Sequence, residues 1–231
     1  MHFWIGSFCY VRDKGKFVFP QGVASISDVI TLTADLGNKI PDKSWMLYLL
    51  EIFNLQNIAV ELNLICSFND NGKFHAIFNG VNQYEFKEIT PILGHSFLRQ
   101  IILNQKNKSI IYILQDQTLN KSERFILSLN AQPFAFETLK HFTGVEWWNK
   151  VSNLPFSIRF QVEISQLLYG LSDNVLDSDS VSYFPYDQLI PNNDGICKQY
   201  PISFNNIKIN DGCICYQIDS GLCETGLRYN G

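Results

Sequence analysis

The feature that most constrains the fold of this chain is a series of short strand-like segments separated by turn sequences. The segments are rich in β-branched and aromatic residues, and many alternate polar with apolar residues, which is typical of half-buried β-strands. They are FWIGSFCYV, KFVFP, SDVITLTADL, NIAVELNLICSF, GKFHAIFNGV, SIIYILQDQT, ERFILSLN, FSIRFQVEIS and CICYQID. Between them lie DKG, NDNG, TLNKS and NDGC, whose Asn, Asp and Gly residues favour tight turns. The pattern predicts an all-β fold, an antiparallel β-sandwich of the jelly-roll or concanavalin-like kind.

Two further segments leave their secondary structure open. SWMLYLLEIFNL has the apolar spacing of a helix, but its β-rich neighbours equally favour a buried strand. FAFETLKHFTGVEWWNKV has room for one helical turn. Neither alternative changes the predicted class.

The length and composition favour one large domain. The chain has 231 residues, of which 46% are hydrophobic and only 17% are charged, so it can support a substantial core. Residues 1–170 are predicted to form the sandwich. Residues 171–231 begin with a stretch rich in Ser, Asp, Asn and Pro, and we expect them to form a long loop and an irregular, Cys-containing extension packed on the same domain.

Four of the six cysteines lie in the C-terminal extension, at positions 197, 213, 215 and 223, and the other two are Cys9 and Cys66. Their spacing matches no common zinc pattern, so disulfides or uncrosslinked cysteines are favoured over a metal site. Disulfides would indicate a secreted or extracellular protein, because such bonds persist in oxidising compartments. The sequence by itself leaves the compartment open.

Charge and motifs exclude several classes of function. The formal net charge is -4 without any Lys/Arg cluster, so we expect no nucleic-acid partner. No apolar run reaches the roughly 20 residues of a membrane-spanning helix. Phosphate-binding, dinucleotide-binding and zinc-protease motifs are absent, and we expect neither a cofactor nor a metal. The oligomeric state is not predicted.

The stretch VEWW contains the carboxylate with the most unusual surroundings in the sequence. Glu146 follows Val145 and precedes Trp147 and Trp148. Burial of a carboxyl against tryptophans raises its pKa, because burial disfavours the charged form, and a raised pKa suits a general acid and base. The alternative is that Glu146 is exposed beside aromatic residues that face the core.

The chain resembles the glutamic peptidases, or eqolisins, in four places that occur in the family's order. VEWW followed by LPFSIRFQVEIS resembles the family's A/V-E-W segment, which precedes a Pro-containing linker and a strand. FWIGSF is similar to its N-terminal N-W-A-G strand, and NLQNIAVEL is similar to its L-Q-T-G-V-D segment. IIYILQDQTLNKSERFILSL is similar to its hairpin with D-x-T-T-G-K. The resemblance spans about residues 3–165.

This resemblance implies a catalytic pair and a substrate. It places Glu146 on the catalytic glutamate and Gln56 on the catalytic glutamine, with Trp147, Trp148 and Trp45 binding a polypeptide substrate. The glutamate would activate a water and then protonate the leaving amine, while the glutamine amide would stabilise the oxyanion. The implied function is that of an acid endopeptidase or of a catalytically degenerate relative.

A glycoside hydrolase is one alternative on the same fold. Glycosidases place two carboxyl groups across a cleft, about 5 to 5.5 Å apart for retention of configuration and farther apart for inversion. Glu146 is one candidate, and Glu51, Glu61 and Glu163 are candidates for its partner.

A lectin-like or structural sandwich is the other alternative. It would bind a carbohydrate ligand by stacking aromatic side chains on it. The candidate residues are Trp147, Trp148, Tyr183 and Tyr186.

Overall fold

The computed structural model describes residues 3–11, 22–32, 44–54, 56, 58–67, 72–129, 134–147, 159–170, 181–183, 189–192, 203–210 and 213–219. Every regular element in these ranges is a β-strand, and the strands pair antiparallel in two sheets. The prediction of an all-β antiparallel sandwich is confirmed. Both segments that the sequence left open between helix and strand contain strands, β3 (Ser44–Phe53) and β10 (Thr138–Trp147).

The first sheet has seven described strands, and β10 and β3 lie side by side near its centre. In spatial order it contains β13 (Leu189–Asn192), β1 (Phe3–Val11), β10, β3, β4 (Ala59–Ser67), β5 (Lys73–Phe78) and β6 (Val81–Glu85).

The second sheet contains the remaining described strands. In spatial order they are β14 (Ser203–Asn210), β15 (Cys213–Asp219), β11 (Arg159–Gly170), β2 (Ser25–Leu32), β7 (Ser96–Asn104), β8 (Ser109–Asp116) and β9 (Lys121–Ser128), with β12 (Val181–Tyr183) also paired to β11. The C-terminal segment therefore adds strands to both sheets, since β13 pairs with β1 and β15 pairs with β11.

Some strands are not predicted by the sequence pattern. The hairpin of β5 and β6 turns at Asn79 and Gly80, which have φ angles of 49° and 75°. Positive φ at both positions is the geometry of a type I′ turn, for which Asn-Gly is the preferred sequence. The sequence pattern places this dipeptide inside one strand, GKFHAIFNGV, and predicts no strand at β7, β12, β13 or β14. The predicted strand KFVFP lies outside the described residues.

The cysteine predictions lie only partly within the described residues. Cys66 is buried in β4, and residues 197 and 223 lie outside the described ranges. No two cysteines occupy paired positions in the described strands. The disulfides stay a prediction.

The core lies between the sheets and is built from alternate residues of their strands. In β4 the even-numbered positions Val60, Leu62 and Leu64 have no exposed surface. Across the core, the rings of Phe74 and Phe97 lie 5.1 Å apart and join the two sheets. This alternation follows from the two-residue period of a β-strand, which puts one set of side chains on the core face.

A buried ion pair crosses this apolar core. Asp28 on β2 and Arg99 on β7 are directly paired, and both side chains are almost fully buried. Arg99 Nε donates to Asp28 Oδ1 at 2.9 Å and Nη2 donates to Oδ2 at 2.5 Å. Arg99 Nη1 also donates to the carbonyl oxygen of Leu62 in the first sheet, at 3.1 Å. The guanidinium thus binds a carboxylate in its own sheet and the backbone of the other.

A second buried carboxylate fastens one end of the sandwich. Asp116 Oδ2 lies 2.8 Å from His95 Nδ1, and Asp116 Oδ1 accepts hydrogen bonds from the backbone N–H groups of Thr118 and Leu119. Burial would raise the pKa of Asp116, but the hydrogen bond with His95 and those from the backbone outweigh it and hold this pKa below its usual value. The loop that ends at His95 is therefore fixed to the turn after β8.

A double-mutant cycle on the ion pair measures its coupling. We expect Asp28→Leu and Arg99→Met each to lower the free energy of unfolding by about 3–5 kcal/mol, because each leaves an uncompensated buried charge. The double variant should lose far less free energy of unfolding than the sum of the losses of the two single variants. Urea denaturation of the four proteins checks this, and additive losses would contradict it. A cycle on the exposed pair Lys121 and Glu88, 3.2 Å apart, serves as the control and should show about 0–1 kcal/mol of coupling.

The lowered pKa of Asp116 predicts a pH-dependent contribution to stability. The contribution is present above the pKa of an unfolded Asp, about 3.9, and is lost as the pH falls through the lower folded pKa. Asp116→Asn should therefore be less stable than wild type by about 1–2 kcal/mol at pH 6, and the difference should shrink below about pH 4. Thermal unfolding across this range checks the prediction, with Glu88→Gln as the exposed control. A difference that stays constant with pH would argue against it.

Candidate functional site

The register of the first sheet places Glu146 between two tryptophans. Glu146 on β10 pairs with Trp4 on β1 and with Trp45 on β3, and Trp45 pairs in turn with Ser67 on β4. We call these four positions the Glu146 row. Directly opposite residues of antiparallel strands have Cβ atoms about 4.5–5.5 Å apart. The structure thus brings together two residues that the sequence singled out, Glu146 and Trp45, and adds Trp4, which the sequence analysis did not.

The other predicted tryptophans do not belong to the Glu146 row. Trp147 is the next residue on β10 and pairs with Phe3 and Ser44. Since the faces of a strand alternate, position 147 belongs to the opposite face of the sheet from position 146. Trp148 lies outside the described residues.

Gln56 lies at the far end of β3 from Glu146. It occupies the turn after Phe53, where its backbone N–H donates to Asn54 Oδ1 at 3.0 Å, and its side chain is exposed. Trp45 and Phe53 are eight residues apart on a continuous strand, which corresponds to about 26 Å. The structure therefore does not bring Gln56 and Glu146 together. The reason is the length of β3, which runs for ten residues from Ser44 to Phe53 before the chain turns.

The pairs of glutamates proposed for glycoside hydrolysis are also separated. Glu51 pairs with Lys140 on β10, which is six residues, or about 20 Å, from Glu146. Glu61 pairs with Glu51 and lies at the same level of the sheet. Glu163 belongs to β11 of the second sheet. None of these placements approaches the separation of about 5 to 5.5 Å that a retaining glycosidase needs, or the roughly 6.5–9.5 Å of an inverting one.

Glu51 and Glu61 nevertheless belong to a polar cluster on the face of the sheet away from the core. Asn63 is almost fully buried, and its Nδ2 donates to Glu61 Oε2 at 2.6 Å. His75 on β5 pairs with Asn63 and continues the cluster. The amide of Asn63 holds the Glu61 carboxylate in place within the sheet.

A groove lies at the edge of the same sheet. It is formed by the start of β5, the end of β6 and the loop 86–92, and its volume is about 530 Å³. Lys73 and Glu85 lie at its rim and form an ion pair of 3.0 Å. The hydrogen bond from Lys73 lowers the pKa of Glu85, against a smaller opposing effect of desolvation. Phe86 and Ile92 supply apolar lining.

The described part of the chain contains no group of three or more His, Cys, Asp or Glu side chains arranged to hold a metal ion. It also contains no helix that is long and apolar enough to cross a membrane.

Comparison with known proteins finds similarity in structure and none in sequence. No protein-family model matches the chain, and no curated protein matches it. The structure is similar to that of scytalido-glutamic peptidase with a transition-state analog inhibitor, at a TM-score of 0.58 and 13% identity, over 93% of this chain and 97% of that one. A second structure of that peptidase, with a peptide-based analog, gives a TM-score of 0.50 and 11% identity over the same shares. A member of the eqolisin family in complex with a tripeptide gives a TM-score of 0.47 and 12% identity, over 93% and 96%.

These similarities concern the fold. They support the resemblance to glutamic peptidases that the sequence motifs suggested, since nearly the whole of both chains superposes. At 13% identity they do not transfer a catalytic residue to any position.

Proposed function

We propose that this protein hydrolyses peptide bonds at acid pH, with Glu146 as the general base and acid. The observation that carries the proposal is the register, in which Glu146 stands between Trp4 and Trp45 on the neighbouring strands. The fold shared with a glutamic peptidase supports the choice of peptide bonds as the substrate.

Tryptophans on both sides of a carboxylate have two physical effects that suit this chemistry. We propose that their indole rings displace water, since a carboxyl in drier surroundings holds its proton to higher pH than a solvated one. They also offer apolar surface against which a substrate can be held close to the reacting group. Trp4 and Trp45 are thus proposed to bind the substrate, while Glu146 carries out the proton transfers.

The proposed reaction requires one water molecule and one carboxylate. Glu146 takes a proton from the water molecule while the water oxygen attacks the carbonyl carbon. A C–O bond forms, and the carbonyl oxygen becomes negative. The same carboxyl then gives this proton to the amide nitrogen, the C–N bond breaks, and a carboxylic acid and an amine leave. Solvated glutamates titrate near pH 4.3, so a carboxyl that must both accept and donate a proton works best at acid pH.

An assay with two variants tests this proposal against the catalytic pair of Glu146 and Gln56 that the resemblance to glutamic peptidases implies. We expect wild type to hydrolyse an unstructured protein between pH 2 and 7, and we expect Glu146→Gln to lower the rate about 100-fold or more, because general acid and base catalysis contributes this much. Gln56→Ala should leave the rate unchanged, since Gln56 lies at the other end of β3 and uses its backbone to hold the turn. Release of acid-soluble peptides measures the rate.

Each contrary outcome has a definite meaning. Full activity in Glu146→Gln rules out the proposed role of Glu146. Loss of activity in Gln56→Ala, with its unfolding transition unchanged, would favour the pair Glu146 and Gln56 over the arrangement proposed here. Absence of hydrolysis by folded wild type at every pH would overturn the peptidase proposal. In that case carbohydrate binding becomes the better candidate, because tryptophans are common stacking surfaces for sugars.

A further inference from the structure

We propose that Glu51 and Glu61 share one proton in the folded protein, and that this proton makes the sandwich more stable in acid than at neutral pH. The pair is thus a pH-sensitive device built into the first sheet. The shared proton affects the stability of the fold, so it is independent of the role proposed for Glu146.

The two glutamates occupy directly opposite positions on neighbouring strands. Glu51 on β3 pairs with Glu61 on β4, on the face of the first sheet away from the core. Directly opposite residues of antiparallel strands have Cβ atoms about 4.5–5.5 Å apart, and like charges in such positions are destabilising. When two carboxylates share a site, one of them holds a proton to higher pH. That proton belongs to the pair rather than to either residue.

Burial strengthens the repulsion between the two carboxylates. Glu51 is only 8% exposed, and the neighbouring Asn63 on β4 is 1% exposed. Water therefore screens little of the repulsion, and each buried charge carries a cost of desolvation. Protonation of one carboxyl removes both penalties at once.

The amide of Asn63 gives a second, independent indication of a proton in this place. Its Nδ2 donates to Glu61 Oε2 at 2.6 Å, but its Oδ1 is buried and no described residue donates a hydrogen bond to it. Charged carboxylates only accept hydrogen bonds, whereas a protonated carboxyl also has an O–H to donate. A proton on the pair adds the kind of donor that this buried oxygen lacks.

Two positions beside the pair can carry positive charge. Lys140 on β10 occupies the position opposite Glu51, and one ammonium balances one carboxylate but not two. On β5, His75 pairs with Asn63, and a histidine is charged mainly below about pH 6.5. At neutral pH these positions leave one of the two carboxylates without a balancing charge.

The other described groups near the pair do not change this balance. Lys73 and Glu85 neutralise each other in their ion pair of 3.0 Å. Tyr112 of the second sheet has a raised pKa, chiefly because of burial and also because of the charge of Glu61, so its hydroxyl stays neutral. One proton on the pair therefore neutralises the cluster.

The direction of the pH effect follows from the proton balance. The folded pair binds a proton that the separate glutamates of the unfolded chain lose near pH 4.3. A folded state that binds more protons than the unfolded chain loses stability as the pH rises. The stabilising contribution is therefore complete below about pH 4.3, and it is lost as the pH rises through the titration of the folded pair.

Urea denaturation of wild type and Glu51→Gln from about pH 4 to about pH 8 tests the shared proton. Gln has the shape of a neutral glutamic acid, so we expect the unfolding constants of the two proteins to be similar at the acid end. As the pH rises, the constant of wild type should increase relative to that of the variant, by up to about tenfold per pH unit, which is the limit for one proton. Glu88→Gln is the matched control, because it removes the same charge from a side chain that is 68% exposed, and it should follow the wild-type profile.

Further variants distinguish a shared proton from other origins of the pH effect. If one proton is shared, Glu61→Gln alone should also remove the effect, and the double variant should have the same pH profile as Glu51→Gln. A double variant in which the two effects add would overturn the sharing. A Glu51→Gln profile parallel to that of wild type would overturn the proposal. The same holds if His75→Gln removes the pH effect and Glu51→Gln does not, because the proton would then belong to the histidine.

Carbon-13 NMR of the glutamate carboxyls provides a measurement on wild type that does not require any variant to fold. We expect a side-chain carboxyl resonance of Glu51 or Glu61 to titrate well above about pH 4.3, the value of a solvated glutamate. If both resonances titrate at or below that pH, the pair holds no shared proton and the proposal is wrong.

Discussion

The contact between Arg99, Asp28 and the Leu62 carbonyl is the interaction on which the arrangement of the two sheets depends. It pairs β2 with β7 inside one sheet and reaches the backbone of β4 in the other. Apolar contacts are not directional, so on their own they allow one sheet to slide over the other. A guanidinium that donates hydrogen bonds to both sheets prevents this sliding, because any slip would leave a buried charge without its hydrogen bonds.

Fixing β4 has consequences for the rest of the first sheet. The register of β4 sets that of β3, and β3 sets that of β10, so the position of Glu146 beside Trp45 follows from pairings that begin at the core. At the edge, the Tyr84 hydroxyl donates to Glu123 at 2.7 Å and ties β6 to β9 of the second sheet. The Glu146 row and the groove are therefore both held by paired strands and by loops anchored to them.

The fold of a glutamic peptidase recurs here at 13% identity, and the reason is physical. A sandwich requires alternating patterns, turns and a filled core, and many sequences meet these requirements. Catalysis requires particular groups at particular positions, and this chain has a continuous β3 that separates Gln56 from Glu146. The likeness thus concerns the fold alone, while the roles of individual residues depend on the register.

The sequence by itself determined the class of the fold and most of the strands. The reason is that the two-residue period and the turn residues are local: β1 occupies FWIGSFCYV from end to end, and β15 occupies CICYQID. Even the missed hairpin at Asn79 and Gly80 had its local signal. The sequence also singled out Glu146 and Trp45. Only the tertiary structure decided that Trp4 joins them and that Gln56 does not, because strand pairing brings together residues more than a hundred positions apart, and no local pattern encodes which strand lies beside which.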